Sequence, residues 1–223
     1  MIRIRPHHLF NLVQTPTYES RLVKIVLPDK RAPVLLDTAV LLALSKLVEP
    51  RVYFEIGTYL GVQLLNVVAN LPSTARAYTL DLDEKSAREA DQHDNDRPLT
   101  VEHLQSQDML AFRRSPYEPQ ITRLYGDSNT FDFSPYEKAI DMIFVDGGHD
   151  LRTLKSDSEN SFKMLSDQHK SCIAWHDYGN RIYPHLQTYI DELSKTRDIF
   201  FVEESMVAFY FQNCASLVAA LKR

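Results

Sequence analysis

Short apolar runs alternate with longer segments of helical periodicity along most of the chain. Five runs rich in β-branched and aromatic residues, each bounded by turn residues, predict strands at 51–56, 77–81, 121–125, 141–145 and 172–175. Helices are predicted between them, notably at 62–69, 101–112 and 151–165. Strands that alternate with helices indicate an α/β fold with a doubly wound, parallel sheet and right-handed crossovers. In such a sheet, ligands bind at the carboxyl ends of the strands.

The two ends of the chain depart from this alternation. Residues 199–203 and 206–212 are predicted to form two strands joined by a few residues, and so short a connection forces antiparallel pairing. Residues 34–48 are apolar enough for a buried helix, and the more polar stretch before it is a candidate lid over a pocket. The alternative is a helix that only covers one face of the sheet. We therefore divide the chain into an N-terminal helical cap or lid, 1–50, and a mostly parallel domain ending in an antiparallel hairpin strand, 51–223.

Composition and charge limit the kinds of partner. The 223 residues are 44% hydrophobic and 25% charged, as in a globular protein with a substantial core. The formal net charge of −5 argues against a nucleic-acid-binding surface and favours a small neutral or cationic partner. No apolar run approaches the roughly 18–20 residues that span a bilayer, so we expect a cytoplasmic protein without a membrane partner. The oligomeric state, with a homodimer as one option, stays open.

Glycine is scarce, and each glycine follows the carboxyl end of a predicted parallel strand. The six are Gly57, Gly61, Gly126, Gly147, Gly148 and Gly179. The first cluster, EIGTYLG, follows a strand and opens a helix, the context in which a nucleoside meets free backbone N–H groups. Tyr59 stands where a dinucleotide motif has its middle glycine, so the turn disfavours a pyrophosphate and still admits a cofactor without phosphates.

Two further polar positions suit a nucleoside. Asp81 ends the second predicted strand, twenty residues beyond Gly61, where an acidic side chain can bind both ribose hydroxyls. Asp83 is the fallback, and a solvated loop carboxylate is the alternative interpretation. After the third strand, Asp127 and Ser128 form a short polar turn that could face an adenine ring.

Carboxylates and imidazoles follow the next two predicted strands. Because these strands are neighbours in a doubly wound sheet, we expect the side chains of Asp146, His149, His176 and Asp177 to converge. Such a set suits a divalent cation, with Mg²⁺ or Mn²⁺ favoured by the oxygens and Fe²⁺ admitted by the imidazoles. A hydrogen-bonded structural cluster is the alternative. Trp175, beside it, either lines a substrate pocket or packs in the core.

Several motifs together resemble a known family. The segments FEIGTYLG, YTLDLD, GDS, FVDGGHD and CIAWHDYG are similar to those of the Rossmann-like methyltransferases of the macrocin O-methyltransferase and "methyltransferase 24" group. The resemblance covers positions 50–180 and is sharpest at VDGGHD and WHDY. It implies the class I methyltransferase topology, with S-adenosylmethionine as the cofactor. The implied cofactor-binding residues are Glu55, Gly57, Thr58, Tyr59, Gly61, Asp81, Asp127 and Ser128.

The polar cluster also resembles that of cation-dependent, catechol-type O-methyltransferases. Carried over by position, the metal ligands are Asp146, His176 and Asp177, and the general base is His149. The chain departs from that pattern, because a lysine is usual at position 149 and an Asp-Asn pair at 176–177. The implied reaction is attack of a small-molecule hydroxyl on the activated methyl group of S-adenosylmethionine, with His149 and Asp146 as catalytic residues and a cation that lowers the pKa of the hydroxyl.

Two other functions stay open at this point. A nicotinamide-dependent oxidoreductase would share the first strand, the glycine turn and Asp81, but would require a glycine in place of Tyr59. A cofactor-binding protein of the same fold without turnover is the second alternative. The substrate is unspecified, because residues 1–50 and 84–120 contain no diagnostic motif.

Overall fold

An eight-stranded sheet organises the residues that the computed structural model describes, which are 1–13, 20–24 and 35–223. The order across the sheet is β1-β7-β8-β6-β5-β2-β3-β4. Strand β8 is antiparallel to both of its neighbours, β6 and β7, and the other pairings are parallel. The strands are β1 (Ile2–Ile4), β2 (Val52–Ile56), β3 (Arg76–Asp81), β4 (Ile121–Tyr125), β5 (Met142–Val145), β6 (Ser171–Trp175), β7 (Ile199–Val202) and β8 (Ala208–Gln212).

Helices cover both faces of this sheet. They are α1 (Pro6–Phe10), α2 (Leu35–Val48), α3 (Val62–Val68), α4 (Glu84–Glu89), α5 (Arg97–Gln105), α6 (Leu151–Met164), α7 (Pro184–Leu193) and α8 (Ala215–Leu221). The predicted parallel strands are confirmed to within one residue at each end, and the antiparallel hairpin of β7 and β8 is confirmed as well. The helix predicted at 101–112 is α5, which begins earlier because Asp96 and Pro98 form its start and which ends at Gln105. No helix in the described ranges is long and apolar enough to cross a membrane.

The first residues of the chain extend the sheet. Strand β1 pairs in parallel with β7, and its Ile4 side chain is buried. Only three residues form this strand, with arginines at positions 3 and 5, so its apolar pattern was too short to predict it. The buried helix predicted at 34–48 is α2, which packs against α3 and β6. The lid predicted for the polar stretch before it falls mostly at 14–19 and 25–34, outside the described residues.

Side chains that alternate along the strands pack into two core clusters, one on each face of the sheet. Tyr53 and Phe144 pack with α2 and α3 on one face, and Phe54 and Ile143 pack on the other. Trp175 belongs to the second cluster, is fully buried, and its Nε1 donates a hydrogen bond to the Ser158 hydroxyl at 3.0 Å. Of the two interpretations for Trp175, core packing is therefore the correct one.

Gly57 lies where the tip of β2 packs against the backbone that follows β5. Its φ is +93°, and a Cβ at this position would lie 2.0 Å from the carbonyl oxygen of Asp146. The tip of β2 thus packs directly against the backbone that follows β5. A side chain at position 57 would strike this backbone before it reached any cofactor, so substitutions at Gly57 test the fold rather than binding.

We expect Gly57→Ala to destabilise the protein more than Gly179→Ala. Gly179 has a similar φ of +82° but no heavy atom within 4 Å of its would-be Cβ, so its substitution adds only backbone strain of about 1–3 kcal/mol. Gly57→Ala adds the displacement of packed backbone, about 1–3 kcal/mol more. Urea unfolding of the two variants measures the difference, and equal losses of unfolding free energy would contradict the packing at Gly57.

Candidate functional site

The turn between β2 and α3 is held by Asp81. One oxygen of its carboxylate, Oδ2, accepts the backbone N–H groups of Thr58 at 2.8 Å and Tyr59 at 2.9 Å, and Oδ1 accepts that of Leu82 at 2.7 Å. A carboxylate has about four acceptor sites, so room for one further donor is left. Asp81 lines the cleft that opens here, whereas Asp83 caps helix α4 through Ser86 and does not line it. Of the two carboxylates, only Asp81 is positioned to meet a ligand in the cleft.

Helix α5 fastens the same turn from the other side. Tyr59 has a positive φ of 45°, and its carbonyl oxygen lies 2.6 Å from Nδ1 of His103. The Tyr59 hydroxyl donates to Glu102. Sequence reasoning missed His103 and Glu102, since they lie in the segment without a diagnostic motif.

Beyond Asp81, the cleft runs along the turn after β4. Gly126, Asp127 and Ser128 line it, as the sequence predicts, together with Asn129. Asp127 Oδ1 accepts hydrogen bonds from the backbone and the side-chain amide of Asn129, at 2.9 and 3.0 Å. The Oδ1 atom of Asn129 is a buried acceptor without a hydrogen-bond partner among the described residues.

The cleft has a second half on the other side of the turn between β2 and α3. Glu55 lines this second half. Its side chain is almost fully buried, and its Oε2 accepts the Tyr53 hydroxyl at 2.8 Å. Burial raises the pKa of Glu55 well above its usual value, and the charges of Asp146 and Asp81 raise it further. A positively charged ligand group beside Glu55 would favour its ionised form.

The polar residues after β5 and β6 converge at the junction of the two halves. Asp146, His149 and Asp177 each offer one possible ligand atom, and these atoms lie within 4.8 Å of one another. His149 Nε2 is 2.8 Å from Asp177 Oδ2. His176 Nδ1 lies 3.2 Å from Asp146 Oδ1 and 3.1 Å from Asp177 Oδ2. The structure therefore brings together all four residues for which the sequence predicts convergence.

The charged groups of this cluster shift one another's pKa values. Burial lowers the pKa of His149, but hydrogen bonds to Asp177 and Asp96 outweigh it and raise the pKa to about 10. Burial also opposes the charge of His176, yet Asp146 and Asp177 raise its pKa well above the usual value. Burial raises the pKa of Asp177, and the two imidazoles overcome this and hold it well below its usual range. In this arrangement the surrounding carboxylates thus favour the protonated form of both imidazoles.

A buried carboxylate stands behind each imidazole, and the sequence analysis named neither. Asp37, from α2, places Oδ2 3.3 Å from His176 Nε2 and accepts the backbone N–H of Met206 at 2.8 Å. Asp96, at the start of α5, places Oδ1 2.7 Å from His149 Nδ1. These pairs are separated by 139 and 53 positions along the chain, so no local motif contains them.

Comparison with known proteins identifies the family. A methyltransferase-domain family model, methyltransferase 24, matches residues 54–178, which is more than half of the chain. Among solved structures, an S-adenosylhomocysteine-bound methyltransferase of Podospora anserina is 14% identical, with a TM-score of 0.53 over 93% of this chain and 86% of that chain. An O-methyltransferase of Bacillus cereus in complex with S-adenosylhomocysteine is 17% identical, with a TM-score of 0.50 over 82% of each chain. No curated protein matches.

At these identities the solved structures establish a shared fold, and the family match carries the assignment. The matched range begins within β2 and ends just past β6, so it contains the glycine turn and Asp81. It also contains Asp146, His149, His176 and Asp177, which together form the Asp-His cluster. This match identifies a methyltransferase domain rather than a nicotinamide-dependent oxidoreductase. The chain belongs to the methyltransferase 24 family of class I, S-adenosylmethionine-dependent methyltransferases.

Proposed function

We propose that this chain transfers the methyl group of S-adenosylmethionine to a hydroxyl of a small molecule, assisted by a divalent cation. The observation that carries the proposal is the junction of the two halves of the cleft. Both halves are lined by Gly57, Tyr59, Asp146 and His149, so the glycine turn and the Asp-His cluster face one continuous space. A methyl donor bound along the turn would thus lie beside a base and a cation site.

The cofactor pocket fits S-adenosylmethionine on chemical grounds. The polar turn of Asp127 and Ser128 lines the cleft next to Asp81 and suits an adenine ring, and the remaining acceptor site of Asp81 suits a ribose hydroxyl. Glu55, buried in the other half, suits a positively charged group of the methionine portion. When bound, the cofactor supplies an activated methyl group on a sulfonium. The chain itself has to orient the reactants and manage one proton.

The cation site is assigned to Asp146, His176 and Asp177. Carboxylate oxygens with an imidazole suit Mg²⁺ or Mn²⁺. The possible ligand atoms of Asp146 and Asp177 lie within 4.8 Å of each other, and the imidazole with an atom inside the same distance of both is that of His149. His176 is assigned as the imidazole ligand because its Nδ1 lies within hydrogen-bond distance of both carboxylates. When bound, the cation would lower the pKa of the acceptor hydroxyl.

His149 is assigned as the general base. Its Nε2 faces the cluster, beside Asp146, and its ring is held by contacts on both nitrogens. The base has to be neutral to accept a proton from the acceptor hydroxyl, and the hydrogen bond to Asp177 opposes this by raising the pKa of His149. Engagement of Asp177 with another positive charge would remove its share of that opposition, while Asp96 would stay paired with Nδ1. Activity should therefore depend jointly on His149 and on the carboxylates.

The cofactor assignment is tested by Asp81→Asn, with Asp83→Asn as the matched control. Loss of a charge-assisted hydrogen bond worth about 1.5–3 kcal/mol should weaken S-adenosylhomocysteine binding roughly 10- to 100-fold. Asp83→Asn removes the same charge two residues away and keeps a good helix cap, so its affinity should equal that of the wild type. Calorimetric titration measures both, and equal affinities of the two variants would contradict the assignment.

The cation site is tested by direct Mn²⁺ titration of Asp177→Asn. Asparagine tolerates the positive φ of 58° at this position, so the backbone should persist while the ligand charge is lost. We expect Mn²⁺ affinity to fall on the order of 10- to 100-fold or more. Asp150→Asn is the control, because asparagine keeps the cap of α6 in the same polar region. The assignment is wrong if wild-type protein binds no Mn²⁺ and retains full activity in excess EDTA.

The base and the reaction class are tested together by transfer of labelled methyl from S-adenosylmethionine to a panel of phenols and sugars. His149→Gln should lower kcat on the order of 10²-fold or more while leaving cofactor affinity unchanged. His169→Gln, an exposed histidine outside the cleft, should behave like the wild type. A kcat of His149→Gln within a few-fold of wild type would remove His149 from the role of base. A wild type that binds cofactor but methylates nothing would favour a binding protein without turnover.

A further inference from the structure

We infer that Asp96 is a positioning residue that fixes the orientation and tautomer of His149. The inference rests on the proposed function, in which His149 is the general base. It extends that function to a residue outside the strand tips, in the loop that leads into α5. Asp96 acts through His149 and has no assigned contact with substrate or cofactor.

The carboxylate of Asp96 binds His149 at two points. Its Oδ2 accepts the backbone N–H of His149 at 2.9 Å, and its Oδ1 lies 2.7 Å from ring atom Nδ1. Asp96 is 7% exposed, so neither contact is weakened by competition with bulk water. A single rigid group that binds both the main chain and the ring of one residue restricts the side-chain torsions of that residue.

Tyr183 restricts the remaining freedom of the ring. Its aromatic ring stacks on the His149 imidazole with a centroid distance of 4.2 Å and an interplanar angle of 8°. The Tyr183 hydroxyl lies 3.3 Å from Oδ1 of Asp96 and donates to it. The imidazole is therefore held in its plane by Tyr183 and at its Nδ1 edge by Asp96. Nε2 is the ring nitrogen left to face Asp177 and the cluster.

Both ring nitrogens of His149 face a carboxylate, with Nδ1 2.7 Å from Asp96 and Nε2 2.8 Å from Asp177. When the cation of the proposed site engages Asp177, Asp96 is the carboxylate that still pairs with the ring. A carboxylate accepts hydrogen bonds only, so the neutral ring then carries its hydrogen on Nδ1 and keeps the lone pair of Nε2 free. As the bond from the acceptor oxygen to the methyl carbon forms and the sulfur–methyl bond breaks, the hydroxyl proton moves to Nε2. The imidazolium that results is stabilised by Asp96. Without the carboxylate, the opposite tautomer would present an N–H to the acceptor.

The variant Asp96→Asn separates this role from a structural one. Its amide can donate to Nδ1 and so favours the tautomer with hydrogen on Nε2, as is known for asparagine behind a catalytic histidine. We expect kcat to fall on the order of 10²- to 10⁴-fold, with unchanged affinity for S-adenosylhomocysteine and an unchanged KM for the acceptor. Asp108→Asn removes the same charge from an exposed side chain outside the cleft, just past α5, and should keep kcat within a few-fold.

Two further measurements make the test independent of how well the variant folds. The first measurement records ¹⁵N spectra of the His149 ring in the wild-type complex with S-adenosylhomocysteine and Mg²⁺, at the highest pH at which the protein stays folded. These spectra should show the hydrogen on Nδ1. Hydrogen on Nε2 would overturn the inference. In the His149→Gln background, Asp96→Asn should cause no further loss of kcat, because it acts through the ring that is already absent.

The failures of the two proposals are distinguishable. If His149→Gln keeps kcat near the wild-type value, the base assignment fails and the role of Asp96 fails with it. If His149→Gln is slow while Asp96→Asn is not, or if their losses multiply in the double variant, only the positioning role of Asp96 is overturned.

Discussion

The backbone contact between Gly57 and Asp146 is the constraint on which the site depends. Only a residue without a Cβ allows the tip of β2 to lie against the chain that leaves β5. Backbone hydrogen bonds continue past the strand ends on either side of this contact, from Gly57 N to Leu80 O at 2.9 Å and from Asp146 N to Ile56 O at 2.9 Å. The half of the cleft that Asp81 lines and the Asp-His cluster therefore share a wall.

The excess of negative charge is the second feature that organises the site. Four carboxylates, from Asp37, Asp96, Asp146 and Asp177, face the two imidazoles of His149 and His176. Even with both rings protonated, the cluster keeps a negative balance that a divalent cation would neutralise. Asp96, Asp146 and Asp177 raise the pKa values of the imidazoles. In the proposed function, cation binding and the availability of the base would therefore be coupled through Asp177.

The sequence predicted the parts of this fold that follow from local pattern. Apolar runs marked the parallel strands, and the doubly wound topology then implied that Asp146, His149, His176 and Asp177 meet. Strand β1 was missed because three residues carry too little periodicity, and α7 because no motif drew attention to it. Asp37 and Asp96 were missed for a different reason. Their roles arise from tertiary contacts with histidines far along the chain, and a lone aspartate beside a helix start has many ordinary explanations.

Trp175 gives the molecule an optical property of its own. It is the only tryptophan in the sequence, it is fully buried, and it occupies the last position of β6, directly before His176 and Asp177. Its indole N–H is satisfied by Ser158 of α6 rather than by solvent. The tryptophan fluorescence of the protein therefore comes from one dry environment, and an unfolding curve recorded from it follows the exposure of the strand that presents the cluster.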